Sequence, residues 1–328
     1  MRKKLIVGSR ESALAVAQSR IFIDALRRTA PQVEVELVTM KSTGDLILDQ
    51  SLEAIGGKGL FTRELEQALF DGRIDLAVHS LKDMPVKVDD RLPILALSAA
   101  EDPRDVLVYP KGMPQPGEGS AGCSSARRRM QLGALMPGRA VTPVRGNVMT
   151  RLDKLDAGQY GLLVLAAAGL HRLGRQDRMS RLLSVEEMVP AAGQGILAVQ
   201  GRAGEAADCL GAFHDPESAC RWRAERAFTS MLGGSCTLPI GAFARVAGTE
   251  LRMDVYYADE ASGFSVRRTA VGEAAAPERL GERLAHEVRR EADRLLQQRH
   301  RFVDALQGGQ RQRLVAHRPG PLRRVRPP

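Results

Sequence analysis

Asp75-Leu76-Ala77-Val78-His79-Ser80-Leu81-Lys82-Asp83-Met84-Pro85 is the stretch on which the reading of this chain turns. With Ile74 it opens as a short apolar run broken only by Asp75, the pattern of a buried parallel strand. It closes on a turn that sets Lys82 beside Asp83, and Pro85 prevents an immediate return to ladder pairing. Ligands of open α/β sheets bind beyond the carboxyl ends of the strands, so a cation and a carboxylate here stand over a crevice. A solvated loop with a weak ion pair is the plainer reading. Against it stand the arginines at comparable strand ends elsewhere in the chain.

Upstream, Leu5 to Val7 read as a strand, and Gly8-Ser9-Arg10-Glu11-Ser12 turns into a helix with Ser12 as N-cap. Leu14, Ala17, Ile21, Ala25 and Leu26 form its expected apolar stripe. Val33 to Val38 alternates like a strand with one wet face. Gly56-Gly57-Lys58-Gly59 is a flexible loop with a single cation. It is followed by a helix with Phe61, Leu65, Ala68 and Leu69 inward that ends near Gly72. Downstream, Ile94 to Leu97 is a further apolar run. This strand–helix alternation predicts an α/β fold, a parallel sheet with helices on both faces.

Glu101-Asp102-Pro103-Arg104-Asp105 marks a change of domain. The glycine-rich run Gly117 to Gly122 leads to Cys123-Ser124-Ser125-Ala126-Arg127-Arg128-Arg129. Hydroxyls at a helix start with arginines one turn in can hold an anion; a capped helix with a basic outer face is the common alternative. Val141 to Val144 lead to Arg145-Gly146-Asn147 and a helix bearing Arg151 and Lys154. Tyr160 to Ala168 reads as a buried strand ending at Gly169-Leu170-His171-Arg172. Successive junctions thus present Arg127 and Arg128, then Arg145, then Arg172, which suggests a cleft lined for several carboxylates or phosphates.

After Ala191-Ala192-Gly193-Gln194-Gly195 a run from Ile196 to Val199 is placed to cross back to the first block. Asp215-Pro216-Glu217 starts a helix to about Leu232. Beyond Gly233 to Gly241, segments 242–246, 251–257 and 266–271 predict an antiparallel meander, closed by a long helix from Pro277 to about Leu306. Cys236 lies in the glycine-rich seam, as an ordinary loop thiol or as a point of covalent attachment.

Composition bounds the partners. Of 328 residues, 44% are hydrophobic and 27% charged, as in an ordinary globular protein. No apolar run is long enough for a membrane helix, and the start is too short for a signal-peptide core; a cytoplasmic protein is expected. Cysteines at 123, 209, 220 and 236 contain no Cys-x-x-Cys pair and are too few for a disulfide scaffold. His214 between Cys209 and Cys220 invites zinc, but the spacing fits no common ligand pattern, so no metal is expected. The net charge of +9 is concentrated at the end: from Arg299 to Pro328 eight arginines face one acid, Asp304. The body is nearly neutral, so no nucleic-acid footprint and no membrane surface is indicated. The tail beyond about Gly308 reads as disordered, either an anion or RNA tether or a dispensable extension.

These motifs resemble the porphobilinogen deaminases, also called hydroxymethylbilane synthases, over roughly residues 4 to 306. The resemblance rests on Gly8 to Ser12, Gly56 to Phe61, Val78 to Asp83, Arg145 to Val148 with Thr150-Arg151-Leu152, Ala168 to Leu170 with Arg172-Leu173-Gly174, Gly193-Gln194-Gly195, and Gly234 to Gly241. It implies two periplasmic-binding-protein-like domains with central mixed sheets, 1–98 with 196–214 and 99–195. A smaller C-terminal α+β domain with an antiparallel sheet, 217–306, and a basic tail, 307–328, complete the implied chain. It also implies a dipyrromethane cofactor held by a thioether to Cys236. Four porphobilinogens are deaminated and joined head to tail on it, and hydrolysis frees hydroxymethylbilane.

In that family Asp83 matches the carboxylate that stabilises the cation left when ammonia departs. Arg10, Arg127, Arg128, Arg145, Arg151 and Arg172 match the positions that pair with the acetate and propionate groups. Ser12, Lys58, Lys82, Ser124, Ser125 and Gln194 assist. A monomer is implied, with a downstream uroporphyrinogen synthase as a transient contact. Departures from the family are Ala54 for a lysine, Cys123 and Ala126 for Thr and Leu, and Gly161 for an Asp. A catalytically silent bilobal receptor for a polycarboxylate is the rival reading; Asp83 and Cys236 argue against it, since a receptor needs neither.

Truncation after Leu306 is expected to leave fold and turnover intact, because the arginine-rich tail lies outside every motif. A large loss of turnover in the truncated protein at ordinary salt would make the tail part of the machine.

Overall fold

The computed structural model describes residues 4–46, 61–205, 209–234 and 238–295; Lys58, Ala54, Cys236 and the tail lie outside them. The chain forms two compact units, 1–285 and 286–328. The second is described only to 295, and those residues are helical.

Three sheets organise the first unit. In the first, strands β1 (Lys4–Arg10), β2 (Glu34–Met40) and β3 (Leu76–Ser80) are parallel. The expected crossing strand, here β10 (Leu197–Gly201), inserts antiparallel between β3 and β4 (Ile94–Leu97), in the order β2-β1-β3-β10-β4. Successive residues of β1 serve opposite faces. Leu5 and Val7 pack with helix α1 (Ala13–Thr29), whereas Ile6 packs with helix α3 (Arg63–Phe70); the four-residue α2 (Thr43–Leu46) precedes α3. With both faces covered, β3 opens on apolar Leu76-Ala77-Val78, and the stretch 74–78 is nearly free of polar residues. Its exception, Asp75, accepts from the Ile6 amide (2.9 Å) and from Arg202 (3.1 Å).

Ser12 caps α1, accepting from the Ala15 amide. The buried face of α1 is rotated from the expected stripe: Ala15, Gln18, Ser19, Phe22, Ile23 and Leu26 are buried, and Ile21 is 41% exposed. Burying Phe22 contributes about 1.5–3 kcal/mol. The accompanying burial of Gln18 is offset by its bond to Ser80 at 2.9 Å, worth about 1 kcal/mol net. Aromatic burial thus decides the rotation.

The second sheet repeats the plan. Strands β6 (Ala121–Gly122), β7 (Val141–Thr142) and β8 (Leu162–Ala166) are parallel, and β5 (Asp105–Val108) runs antiparallel to β8 and to β9 (Arg181–Leu182). Periodicity alone led to a parallel sheet. Both sheets are mixed because the chain passes between them twice, at 98–104 and 183–196, and one strand of each enters from the other side. The strand expected over 160–168 stops at Ala166, and helix α6 (Ala167–Arg172) begins at once.

Two further helices, α4 (Ala126–Leu135) and α5 (Val148–Asp156), are capped by Ser125 and Asn147. The glycine-rich run lies directly on Gly161, where an added Cβ would come within 2.4 Å of the Gly117 oxygen. The backbone there leaves no room for a side chain at Gly161.

The third sheet is the expected antiparallel meander, β11 (Ile240–Ala247), β12 (Glu250–Asp259) and β13 (Phe264–Glu273). Helix α7 (Pro216–Met231), capped by Asp215, packs against it, and Gly281 of the helix that begins at 277 lies so close to α7 that a Cβ would meet the Ala224 oxygen. His214, considered as a zinc ligand, accepts from the Leu97 amide through Nδ1 (3.3 Å). The α/β class with mixed sheets and a terminal antiparallel sheet therefore holds.

Glu225 of α7 ties the parts together. Only 1% exposed, it accepts from the amides of Gly193 (2.7 Å), in the second passage, and Ala244 (2.8 Å), in β11. Burial pushes its carboxyl up from 4.5 to about 7, and Arg221 and the two amides do not offset this. The folded protein therefore binds a proton that the unfolded chain has released between about pH 4.5 and 7. Stability from this group is present below 4.5 and lost as pH rises through 7. Urea unfolding across that window should show the wild type losing stability relative to Glu225→Gln. A wild type that gained relative to the variant would contradict the assignment.

Candidate active site

Immediately after β3 the chain makes one 3₁₀ turn, Leu81–Asp83. Leu81 is wholly buried under Gly193, whose positive φ (+69°) and lack of a side chain permit the contact; a Cβ there would lie 2.7 Å from Leu81 Cγ. The anchor leaves Lys82 and Asp83 half-buried at the end of the strand. Lys82 Nζ donates to Gln194 Oε1 over 3.4 Å. Burial, with Arg128 adding repulsion, pushes the Lys82 amine down to about 8 against the opposing pull of Asp83 and Asp105.

Helix α4 brings the paired arginines to the same place. Arg127 is 4% exposed and donates through Nη1 to Asp105 Oδ2 (2.7 Å) and to the Val189 carbonyl (2.7 Å). Arg128, 8% exposed, donates through Nε (3.1 Å) and Nη2 (2.7 Å) to Asp105 Oδ1 and through Nη1 to the Val164 carbonyl (3.1 Å). Gln194, almost fully buried, donates to the Pro103 carbonyl (2.6 Å) and to Asp105 Oδ1 (3.0 Å). Burial alone would push the Asp105 carboxyl up, but Arg127 and Arg128 hold it well below the usual carboxylate range.

Arg151 donates through Nε to the Gly146 carbonyl (2.8 Å). Burial and then the charges of Arg128 and Arg145 push it down to about 10, opposed by Asp83. Lys82, Asp83, Arg127, Arg128, Arg145 and Arg151 thus lie within one electrostatic neighbourhood, together with Cys123, a buried thiol pushed up by burial. The hydroxyls are engaged locally. Ser124 donates to the Val144 carbonyl (2.6 Å) and accepts from its amide (3.0 Å), while Ser125 and Ser12 act as helix caps.

Two of the expected arginines have different surroundings. Arg10 lies over the Phe61 ring at 4.3 Å and is the charge felt by buried His79, whose imidazole burial pushes down to about 4. Arg172 donates to the Gly195 carbonyl and faces Glu101, which is also bonded to His171 Nδ1 (2.9 Å); burial pushes Arg172 down to about 10. Arg172 therefore sits where the two passages between the sheets run side by side, Glu101 bonding to Gly195 through its amide (3.1 Å). The cavity between β4 and α7, lined by Ile94, Leu97, His214 and Trp222 among others, contains none of these residues.

Asp105 and Glu101 were read in the sequence only as a domain boundary. The available signal was Asp105 itself, an acid opening the apolar run Val106 to Val108 in a chain with two adjacent arginines still unpaired on paper.

Chemically, the site is a buried excess of cations beside one half-buried carboxylate, Asp83. Neighbouring cations that depress one another are stabilised by a ligand with several negative charges, and planar guanidinium forks select carboxylates or phosphates. The arrangement is thus chemically suited to a polyanionic ligand beside a carboxylate.

Two family profiles match the chain: "Porphobilinogen deaminase, dipyromethane cofactor binding domain" over residues 5–208 and "Porphobilinogen deaminase, C-terminal domain" over 219–290. Porphobilinogen deaminase of Acetivibrio thermocellus is 50% identical over 88% of this chain and 99% of its own. That of Ruminiclostridium cellulolyticum is 48% identical over 87% and 98%. Among solved structures, the methionine-binding protein MetQ aligns at a TM-score of 0.39 with 14% identity, over 64% of this chain and 88% of that one. The chain belongs to the porphobilinogen deaminase family. It is a transferase of tetrapyrrole biosynthesis with a dipyrromethane cofactor domain, and the silent-receptor alternative is not favoured. No helix among the described residues is long and apolar enough to cross a membrane.

The residues present fit such a cofactor. Lys82 and Arg151, pushed down by burial and by the charge of neighbouring Arg128, are suited to the carboxylates of such a group.

Proposed function

We propose that this enzyme deaminates four porphobilinogens and joins them head to tail on dipyrromethane attached to Cys236, releasing hydroxymethylbilane. The observation that carries the reading is the meeting of Asp83 with Lys82, Arg128 and Arg151 in one neighbourhood. When bound, dipyrromethane supplies the pyrrole position to which the first substrate is joined.

In this reading Asp83 faces the reacting ring. Its carboxylate stabilises the cation that remains on porphobilinogen when ammonia leaves and accepts the pyrrole N–H. Arg128, Arg145 and Arg151 hold carboxylates through charge-assisted bonds, and Lys82, with its amine near 8, places a further positive charge beside Asp83. Arg127 serves them from behind, since it is buried against Asp105. Arg10, Arg172, Ser12, Ser124, Ser125 and Gln194 remain assigned to binding, and Lys58, outside the described residues, to gating or to neutralising charge.

Attachment at Cys236 is supported by the residue two positions before it: Gly234 packs so closely on Val86 that a Cβ would come within 2.8 Å of Val86 Cγ2. The chain therefore runs toward Cys236 from a residue pinned to the segment that follows Asp83. The division into 1–98 with 196–214, 99–195 and 217–306 is the matching proposal for the domains.

Intact-mass spectrometry and melting curves on two variants test this. Asp83→Asn should fold and carry the mass of two linked pyrroles, with elongation lowered by roughly a hundred- to a thousand-fold, as for loss of one preorganised electrostatic contact. Cys236→Ser should lose both adduct and activity and melt lower, because the buried cations lose their counter-charge. Retention of the adduct in Cys236→Ser would move attachment to another cysteine.

The arginines should differ among themselves. Arg145→Leu and Arg172→Leu should stall at particular enzyme-bound lengths, visible as a ladder of masses. Equal weakening of every step would rule out ring-specific sites.

A further inference from the structure

We propose that Asp105 is a positioning residue of this anion site: its buried carboxylate sets the orientation of the Arg128 guanidinium and, through Gln194, the place of Lys82. The proposal rests on the reading of Arg128 and Lys82 as groups that hold carboxylates.

Arg127 and Arg128 are consecutive on α4, and consecutive helical side chains leave the axis about 100° apart. Both nevertheless end on the same carboxylate, one oxygen each, at 2.7 Å. Asp105 is 0% exposed at the first position of β5, so backbone and packing fix it before any ligand arrives. Arg127 Nη1 is fully engaged by Asp105 and the Val189 carbonyl, which makes this arginine part of the frame. Arg128 is gripped by Nε and Nη2 on the same oxygen, and its Nη1 meets the Val164 carbonyl. A planar fork held on one edge can turn only its remaining N–H groups toward a ligand.

Asp105 Oδ1 also accepts from Gln194 Nε2 (3.0 Å), and the other end of that amide, Oε1, accepts from Lys82 Nζ (3.4 Å). The amide of Gln194 cannot reverse without facing its donors toward Lys82 and its acceptor toward Asp105. One carboxylate in the second sheet therefore orients a cation on its own side of the seam and, through Gln194, a cation that follows β3 in the first.

A carboxylate that merely balanced charge would act differently. Removing it would make the site more positive and tighten anions, whereas removing a positioning group weakens them.

The test uses full-length Asp105→Asn and Asp105→Glu, with three readouts: melting temperature, the fraction carrying the two-pyrrole mass, and KM and kcat per loaded molecule. Positioning predicts a reduced loaded fraction and, in the molecules that do load, a KM for porphobilinogen raised about ten- to a hundredfold, since small misplacements carry costs of that order. It predicts the same rise in Asp105→Glu, which keeps the charge but moves it by one methylene. A lowered melting temperature with unchanged or lower KM in Asp105→Asn, or a wild-type KM in Asp105→Glu, would overturn the proposal. Should Asp105→Asn fail to fold, the Asp105→Glu result decides. Arg128→Leu separates the premise: unchanged loading and KM in that variant would show that Arg128 holds no carboxylate, independently of what Asp105 does.

Discussion

Buried positive charge is the constraint from which the rest of this structure follows. A guanidinium out of water is costly unless it is paired and its remaining N–H groups are satisfied. Here two of them share the single carboxylate of Asp105 and two backbone carbonyls, Val164 and Val189, from different elements. Meeting those demands fixes α4 against β5, β8 and the chain leaving the second sheet. Arg151 and Lys82, in the same neighbourhood, are pushed down by burial and by the charge of Arg128.

The passages between the sheets carry the next layer of order. Residues 98–104 and 190–196 run side by side through the Glu101–Gly195 bond, and their flanks are held by Arg172 and His171. Glu225 connects the second passage to β11 of the third sheet. The antiparallel sheet is therefore docked by its core contacts with Val185 and Val189 and also through a buried carboxyl on the segment that contains Gln194.

Close backbone approach explains the glycines that matter. Gly193 and Gly195 have positive φ, and a Cβ at Gly195 would lie 2.4 Å from the Glu101 oxygen, so the passages cannot run together with any other residue there. Gly161 admits the glycine-rich run above it in the same way.

From the sequence alone, the apolar run at 74–78, the cap Ser12, the helix start at Asp215, the meander after Gly241 and the crossing of 196–199 were all legible. Each rests on local periodicity or on turn chemistry that acts within a few residues. The arginines and Asp83 were legible as charges at strand ends, and the family resemblance gave them roles. The sequence could not decide which arginine faces a ligand and which is walled in, because Arg127 and Arg128 are identical neighbours until Asp105 closes over them from β5. It misplaced the buried face of α1, since the pull of Phe22 and the partner that Ser80 gives Gln18 appear only when α1 meets β3. It saw a boundary where the structure has a shared carboxylate. Periodicity reports what each element buries, whereas pairing between charges distant in sequence exists only once the sheets have brought them together.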